Sequence, residues 1–189
     1  ASLDVDHILR LTAEQLLGAL GAAGVAAAMI DQEGRITLQN ELPERASAVL
    51  LPLPPSPFFD YLQQTQGIFQ TGDIAGESGL RTLWEKFFSV RQARSLLVVP
   101  LVSGSAMQGW FLIFRTGEYR YTLPEIELAR TMCNQSAIAV QNARLFVETR
   151  RLTADLEQRV EERTRELRRE HQNSQTLLHI ITELSTSLE

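Results

Sequence analysis

The sequence lacks the features that mark several common classes of protein. Its one cysteine, Cys133, can neither form an internal disulfide nor supply a cysteine cluster for structural zinc. The 18 basic residues are outnumbered by 23 acidic ones, and the formal net charge of -5 leaves no positive excess to neutralise a phosphate backbone, so nucleic acid is not an expected partner. The longest apolar stretch, from Ala22 to Ile30, is shorter than the ~18 residues of a membrane span. With no visible signal peptide, these absences predict a cytoplasmic location and no membrane segment in this chain.

What the sequence does contain is a series of periodic apolar segments. The hydrophobic fraction of 44% is large enough for a buried core. Apolar residues at helical spacing predict an amphipathic helix over residues 4–20, ended by Gly21. Gly24–Ile30 and Arg35–Gln39 flank a polar tetrad that ends in Gly34, which predicts a β-hairpin.

The middle of the chain is rich in proline. Five prolines within Glu41–Pro57 predict an irregular segment, because proline cannot continue a helix or donate in a central strand. A short helix over Glu44–Leu50 fits before this block. Beyond it, the pattern predicts a short strand within Gly67–Ile74 and a helix over Gly79–Arg91.

The strongest strand signal is a pair of apolar runs, Ser95–Val102 and Gly109–Arg115, joined by a turn of small residues. A hairpin connection makes the two strands antiparallel. Both strands are apolar on both faces, whereas an antiparallel sheet with one wet face would alternate. We therefore expect a layer over each face, with the terminal helices on one side and the proline-rich region with the Trp84 helix on the other.

A long helix is predicted after this hairpin. Thr122-Leu-Pro-Glu125 has the residues of a capping box with proline in the first turn, and no glycine or proline follows Glu125. The helix can therefore run to the end of the chain. A stripe suited to close packing on the sheet is formed by Ile126, Ala129, Met132, Cys133, Ala137, Val140 and Ala143.

Residues 146–189 form a separate, charge-rich zone on which heptads can be placed. Several core positions of the repeat are polar, among them Thr149, Thr153 and Arg163. Such a seam predicts a marginal two-stranded coiled coil and a parallel homodimer, which also pairs through the first helix and the Thr122–Arg150 helix. Its predicted core residues are Phe146, Leu156, Val160, Leu167, Leu177, Ile181 and Leu184.

Segments of the second half resemble a known family. Arg94-Ser-Leu-Leu-Val-Val-Pro-Leu101, then Gly109-Trp-Phe-Leu-Ile-Phe114, Tyr121–Ala129 and Asn134–Leu145 resemble the C-terminal half of a GAF domain in composition and spacing. The resemblance implies an α/β (α+β) fold for residues 1–145, with an antiparallel sheet of about five or six strands, helices on both faces and a long C-terminal helix. It also implies a sensory module of a bacterial multidomain signalling protein, such as a sensor histidine kinase of a two-component system.

Two further resemblances concern the region C-terminal to this domain. Leu156-Glu-Gln-Arg-Val-Glu-Glu-Arg-Thr-Arg-Glu-Leu167 is similar to the helical linkers that join sensor modules in bacterial histidine kinases. Leu178–Glu189 resembles the opening helix of another GAF domain, and Thr186-Ser-Leu-Glu189 repeats the pattern of Ala1-Ser-Leu-Asp4. We therefore expect further signalling domains of the same chain as partners.

The candidate ligand site combines apolar walls with a few polar groups, a pattern that also describes an ordinary core. Its residues are Phe69, Thr71, Asp73, Trp84, Phe87, Phe88, Val99 and Phe111. The cofactor is not identified, since the sequence has no bilin, haem or metal signature. Bilin-binding relatives place a cysteine before the strong hairpin, but Cys133 lies on a helix stripe. The cyclic-nucleotide pattern Asn-Lys-x-Phe-x-x-x-Asp-Glu of other relatives is also missing.

Catalysis is not expected of this chain. His7, His171 and His179 lie in helical segments and do not match the His-Glu/Asp-Leu-Arg phosphoacceptor pattern, and Asp73 and Glu77 have no histidine or nucleophile near them in sequence. No catalytic residue and no metal site is predicted. Two functions stay open, namely a sensory relay with a small-molecule ligand and a dimerisation scaffold whose pocket is filled by side chains.

Overall fold

The computed structural model describes residues 5–31, 33–43, 51–52 and 56–186, with side chains described for all of these except 51, 52 and 170–186. The chain divides into two compact units, Ala1–Arg144 and Leu145–Glu189. The predicted short helix over Glu44–Leu50 lies outside the described residues, as does the Thr186-Ser-Leu-Glu189 repeat beyond Thr186.

The first unit is built on an antiparallel sheet that has six strands in the described part of the chain, in the order β3-β2-β1-β6-β5-β4. The predicted α/β fold with a sheet of about five or six strands is confirmed. The strands are β1 Gly24–Ile30, β2 Ile36–Leu42, β3 Leu51–Pro52, β4 Phe69–Thr71, β5 Ser95–Ser103 and β6 Ala106–Arg115.

The β5–β6 hairpin lies inside the sheet and is covered on both faces. Leu96 and Val98 point to one face and Leu97 and Val99 to the other, and all four side chains are 0% exposed. Strands β5 and β6 pair antiparallel, with Val99 opposite Phe111. The expectation of a layer over each face is therefore confirmed.

One layer consists of α1 Val5–Leu20 and the start of α4 Leu123–Thr186, and we call this side of the sheet the helix face. The predicted small-residue stripe of α4 lies on this side, where Ala129, Cys133, Ala137 and Val140 belong to the same core as the strand residues. Thr12 of α1 and Ser136 of α4 share a buried hydroxyl–hydroxyl hydrogen bond. The cluster contains Leu9, Ala13, Leu16, Leu20, Val25, Ala27, Leu97, Val99, Phe111, Ile113, Ala129, Cys133, Ala137 and Val140.

The opposite layer covers what we call the distal face. It contains α2 Pro57–Thr65, two 3-10 turns at Ile74–Gly76 and Ser78–Leu80, the short α3 Arg81–Leu83, a π-helical turn at Trp84–Phe88 and a 3-10 turn at Ser89–Arg91. The continuous helix predicted over Gly79–Arg91 is therefore wrong in detail. Both aromatic residues at the end of the π turn, Phe87 and Phe88, are buried, at 2% and 0% exposure.

A buried ion pair fastens the distal layer to the sheet. Arg91 donates from two guanidinium nitrogens to the two carboxylate oxygens of Glu41 in β2, and the side chains are 5% and 8% exposed. The same guanidinium donates to the Phe87 carbonyl oxygen at 2.7 Å and lies over the Phe87 ring at 3.6 Å. Loss of either partner would leave an uncompensated buried charge.

The prediction of an irregular segment over Glu41–Pro57 is wrong at both ends. Strand β2 continues through Leu42, and β3 pairs with Thr37 and Leu38 as an edge strand. Pro57 begins α2 behind Ser56, whose side-chain oxygen accepts from the Phe58 N–H at 3.3 Å. Proline is tolerated at an edge strand and in the first turn of a helix, so these prolines sit at the limits of elements and do not prevent them.

A bulge at the start of β6 attaches the sheet to α4. The β5–β6 register shifts between Leu101 and Val102, and Gly109 has a φ of +152° with its Cα so close to β1 that a Cβ would collide with the Ala28 carbonyl oxygen. Gln108 is aimed at the helix face, where its Nε2 donates to the Ala137 carbonyl oxygen at 3.1 Å. Only glycine fits at position 109.

The second unit consists of the remainder of α4, which we call the arm. Its side chains are exposed throughout residues 145–169. Ion pairs within the helix include Asp155–Arg159 at 3.6 Å and Glu161–Arg165 at 2.5 Å. The side chains of the predicted coil residues Leu177, Ile181 and Leu184 lie outside the described ones. Within the described part of the chain, no helix is both long and apolar enough to cross a membrane.

Val99→Asp tests the covered helix face. Val99 is 0% exposed, and an unpaired carboxylate there costs several kcal/mol, a large fraction of the ~5–15 kcal/mol that stabilises a typical domain. We expect Val99→Asp to lose the cooperative thermal transition followed by tryptophan fluorescence. Leu123→Asp is the matched control, because Leu123 is 71% exposed. This variant should melt like the wild type. Unchanged melting of Val99→Asp would contradict the two-layer packing.

Candidate functional site

The structure does not bring the eight predicted pocket residues together. Phe87 and Phe88 belong to the distal core, with Phe69 and Trp84 packed against it, whereas Val99 and Phe111 belong to the helix-face core. The sheet separates the two groups, because successive side chains of a strand point to opposite faces. Val99 and Phe111 therefore cannot share a cavity with the other aromatic residues, and this part of the predicted site is corrected.

The distal face is filled by aromatic side chains. Phe59, Phe88 and Trp110 are 1%, 0% and 0% exposed, and the Phe59 and Trp110 rings lie 5.2 Å apart. Phe88 also meets Phe87 edge-to-face at 4.9 Å and Phe114 at 5.8 Å. The buried Trp110 Nε1 has no hydrogen-bond partner among the described residues. The centre of this layer is packed core.

The two remaining predicted residues, Thr71 and Asp73, line an open groove of about 570 Å³ at the end of β4. One wall comes from the loop after β4 and the other from the loop between β6 and α4. The sequence-based reading missed the second wall, since that loop has no apolar periodicity and no recognised motif. The lining residues are Thr71, Gly72, Asp73, Gly76, Glu77, Glu118, Tyr119 and Arg120.

The groove is polar and more acidic than basic. The Thr71 hydroxyl donates to Glu77 Oε1 at 2.9 Å and accepts from the Asp73 N–H at 3.2 Å, which holds the first wall in shape. Glu118 on the second wall pairs with Arg94 at 2.5 Å. The carboxylates of Asp73 and Glu77 line the groove together with one cationic group, the guanidinium of Arg120.

Tyr119 connects the groove to a polar network that we call the junction, formed by Arg115, Tyr119, Thr122 and Glu125. Arg115, the last residue of β6, donates to the carbonyl oxygen of Leu20, the last residue of α1. Its guanidinium carbon lies 3.8 Å from the centre of the Tyr119 ring, and its Nη2 is 3.5 Å from Glu125 Oε1.

Glu125 closes the network at the start of α4. Its carboxylate accepts from the Thr122 N–H at 2.7 Å, from the Thr122 hydroxyl at 2.8 Å and from the Tyr119 hydroxyl at 2.8 Å. The backbone half of the predicted capping box is confirmed, but the Thr122 hydroxyl donates to the carboxylate. The junction therefore links the end of the sheet to the end of α1 and the start of α4.

The hydrogen bonds and charges of the junction shift its pKa values. Burial alone would raise the pKa of the Glu125 carboxyl, but the hydrogen bonds from Thr122 and Tyr119 and the charge of Arg115 together hold that pKa below its ordinary value. The hydrogen bond to Glu125 and then burial raise the pKa of Tyr119. Burial raises the pKa of Tyr121, whose hydroxyl donates to the Ile113 carbonyl oxygen, to about 12. Glu125 is thus held as the anion and both tyrosines as neutral donors.

A metal site requires several ligand side chains close together, which the described residues do not provide. No group of three or more His, Cys, Asp or Glu side chains within them could hold a metal ion. Cys133 is a buried free thiol on the helix face, and burial raises its pKa. A neutral, buried thiol packs as a small apolar side chain and is a poor nucleophile.

The chain is similar in sequence to a known protein family and to a histidine kinase. A family model described as GAF domain matches residues 2–141. The circadian input-output histidine kinase CikA of Thermosynechococcus vestitus (strain NIES-2133 / IAM M-273 / BP-1) is 30% identical over 115 residues, which are 60% of this chain and only 16% of that relative's length.

Solved structures share the fold at low sequence identity. The GAF domain/HD domain protein from Geobacter sulfurreducens is similar with a TM-score of 0.65 and 19% identity, over 76% of this chain and 96% of that one. The blue-light absorbing form of the Thermosynechococcus elongatus PixJ GAF domain is similar with a TM-score of 0.66 and 16% identity, over 77% of this chain and 90% of that one.

Glu125→Gln tests the electrostatics of the junction. Glutamine keeps an acceptor for Thr122 but removes the charge next to Arg115, so we expect a loss of about 1 kcal/mol in the free energy of unfolding at pH 7. Because the folded-state pKa of Glu125 is lowered, the stability it contributes is present at neutral pH and lost as the pH falls through that pKa, below 4.5.

Urea unfolding is followed by tryptophan fluorescence. The free energy of unfolding should differ between the wild type and Glu125→Gln at pH 7, and this difference should become smaller in acid. Glu127→Gln is the control, because Glu127 pairs with Arg130 at the helix surface and lies outside the junction. A difference in the free energy of unfolding that does not change with pH, or that is equally large for the control, would contradict the role given to Glu125.

Proposed function

Because this chain belongs to the GAF domain family, we propose that it is the sensory and relay module of a larger signalling protein. The junction is the observation that supports the relay function. One residue, Arg115, contacts the last carbonyl group of α1, the Tyr119 ring at the groove and Glu125 at the start of α4. A change at the groove therefore has a short path of direct contacts to both helices that cover the sheet.

The proposed input is a small polar molecule bound in the groove. Tyr119 lines the groove and at the same time donates to Glu125, so a ligand that moves Tyr119 changes the hydrogen bonding at the start of α4. The carboxylates of Asp73 and Glu77 favour a ligand that is cationic or rich in hydrogen-bond donors. A ligand shifts the balance of two helix arrangements only by its difference in affinity for them.

The proposed output is mechanical. Helix α4 continues from the junction into the arm, which pairs in parallel with the arm of a second copy and leads to further signalling domains of the same chain, as in a sensor histidine kinase of a two-component system. Exposed apolar side chains support pairing, because Leu156, Val160 and Leu167 are 62%, 64% and 56% exposed. In this proposal the chain itself is not an enzyme, uses no bilin, haem or metal, and works in the cytoplasm.

The alternative is a dimerisation scaffold without a ligand. The filled distal core favours it, since Phe59, Phe88 and Trp110 occupy the space that the sequence suggested for a pocket. Under this alternative the groove is an ordinary surface depression, and the domain only sets the spacing and pairing of its neighbours.

Native mass spectrometry of the full chain, with thermal-shift screening of cationic and polar metabolites, separates the two functions. The sensory proposal expects a bound small molecule or a stabilising compound whose effect is lost in the Asp73→Asn, Glu77→Gln double variant. Glu33→Gln, in a surface ion pair with Arg35, is the charge control and should bind like the wild type. No bound mass and no stabilising compound would favour the scaffold.

A further inference from the structure

The exposed apolar residues of the arm do not follow one uniform heptad. Leu145, Leu152, Leu156, Val160 and Leu167 are 50%, 57%, 62%, 64% and 56% exposed. With the polar positions 149 and 163 included, the steps along this row are 4, 3, 4, 4, 3 and 4 residues. A heptad alternates steps of 3 and 4, so the repeated step of 4 from Leu152 to Val160 is a stutter.

A uniform heptad differs from this stuttered row only at positions that precede Leu156. It places Phe146 and Thr153 in the seam where the stuttered row has Leu145 and Leu152. Phe146 already lies under the guanidinium of Arg150 on its own helix, at 5.0 Å, and the Thr153 hydroxyl donates to the Thr149 carbonyl oxygen at 2.9 Å. Thr153 also offers less apolar surface than Leu152, so the stuttered row is the better hydrophobic seam.

We propose that the arm pairs in parallel and in register with a second copy of this chain through a stuttered seam of Leu145, Leu152, Leu156, Val160 and Leu167. The inference rests on the proposed function, which supplies the pairing, and it assigns the residues that meet.

The irregular spacing identifies the partner as a second copy. A partner helix with a regular heptad would match the seam C-terminal to Val160. Its core positions would not match Leu152 and Leu145, whereas an identical helix has the same stutter at the same position in the sequence. An antiparallel copy centred on Leu156 would also match over 145–167. It would, however, set Leu177 and Ile181 opposite Gln135 and Thr131, while a parallel copy sets every apolar residue opposite itself.

The stutter gives the relay a defined movement. The supercoil is locally unwound at such a site. The stuttered seam and the heptad seam share position 149 together with Leu156, Val160 and Leu167, and they differ by one residue only at the two other upstream positions. The centres of the two seams are therefore about half a residue apart, which corresponds to roughly 50° of helix rotation. Rotation of α4 at the junction would thus exchange Leu145 and Leu152 for Phe146 and Thr153 in the seam. The part of the seam that the two arrangements share would not change.

Disulfide cross-linking of the full chain tests the assignment. Single cysteines are introduced as Leu145→Cys, Phe146→Cys, Leu152→Cys and Thr153→Cys, and the rate of dimer formation under mild oxidation is read on non-reducing gels. Val160→Cys is the positive control, since it lies in both seams, and Val147→Cys is the negative control on the opposite side of the helix. The wild-type chain is the background, because its only thiol, Cys133, is buried.

The stuttered seam predicts that Leu145→Cys and Leu152→Cys cross-link several-fold faster than Phe146→Cys and Thr153→Cys. Faster or equal cross-linking of the latter pair, with Val160→Cys also cross-linking, would overturn this seam while leaving the proposed dimer intact. No cross-linking at Val160→Cys would overturn both. Mixed disulfides between Leu145→Cys and Leu167→Cys chains, but none between two Leu145→Cys chains, would show an antiparallel pair and also overturn the proposal.

Discussion

The β5–β6 hairpin buries side chains on both of its faces, and the rest of the first unit is arranged to cover them. Val98 and Val99 are neighbours in the chain and are both completely buried, yet they belong to cores on opposite sides of the sheet. Each core needs its own cover because the exposure of either face would leave a row of apolar side chains in water. Two different layers meet this need. Two helices, α1 and the start of α4, cover one face, and aromatic residues on short turns fill the other.

The separation into two layers also separates their tasks. The distal layer is fastened by the buried Arg91–Glu41 pair and packed with aromatic rings, so it is a poor place for a large change of shape. The helix layer packs on the sheet through its own apolar core, and at its edge it also makes polar contacts, where Arg115 holds the end of α1 and the start of α4. Charged hydrogen bonds at a partly exposed edge can be exchanged at lower cost than packed core contacts. In the proposed relay, the junction is therefore the position of the switch.

The sequence revealed those parts of the fold that periodicity determines. The two apolar runs predicted the central hairpin and the need for two layers, and the small-residue stripe from Ala129 to Ala143 predicted the packing of α4. Periodicity could not assign Val99 and Phe111 to a face, because a strand that is apolar on both sides does not distinguish them. Helix α2 was missed since Pro57 and its neighbours were interpreted as breakers, although proline suits a first helical turn. The groove wall at Tyr119 and Arg120 was missed because a loop carries no periodic signal.

Hydrogen–deuterium exchange of an Arg115→Gln variant tests the coupling most directly. Glutamine removes the guanidinium that joins the Leu20 carbonyl oxygen, the Tyr119 ring and Glu125. Exchange is expected to accelerate together at the last turn of α1 and the first turn of α4, while amides near Ala137 and Val140 remain as protected as in the wild type. Acceleration at only one of the two helix ends, or at neither, would contradict the claim that Arg115 couples the sheet to both helices.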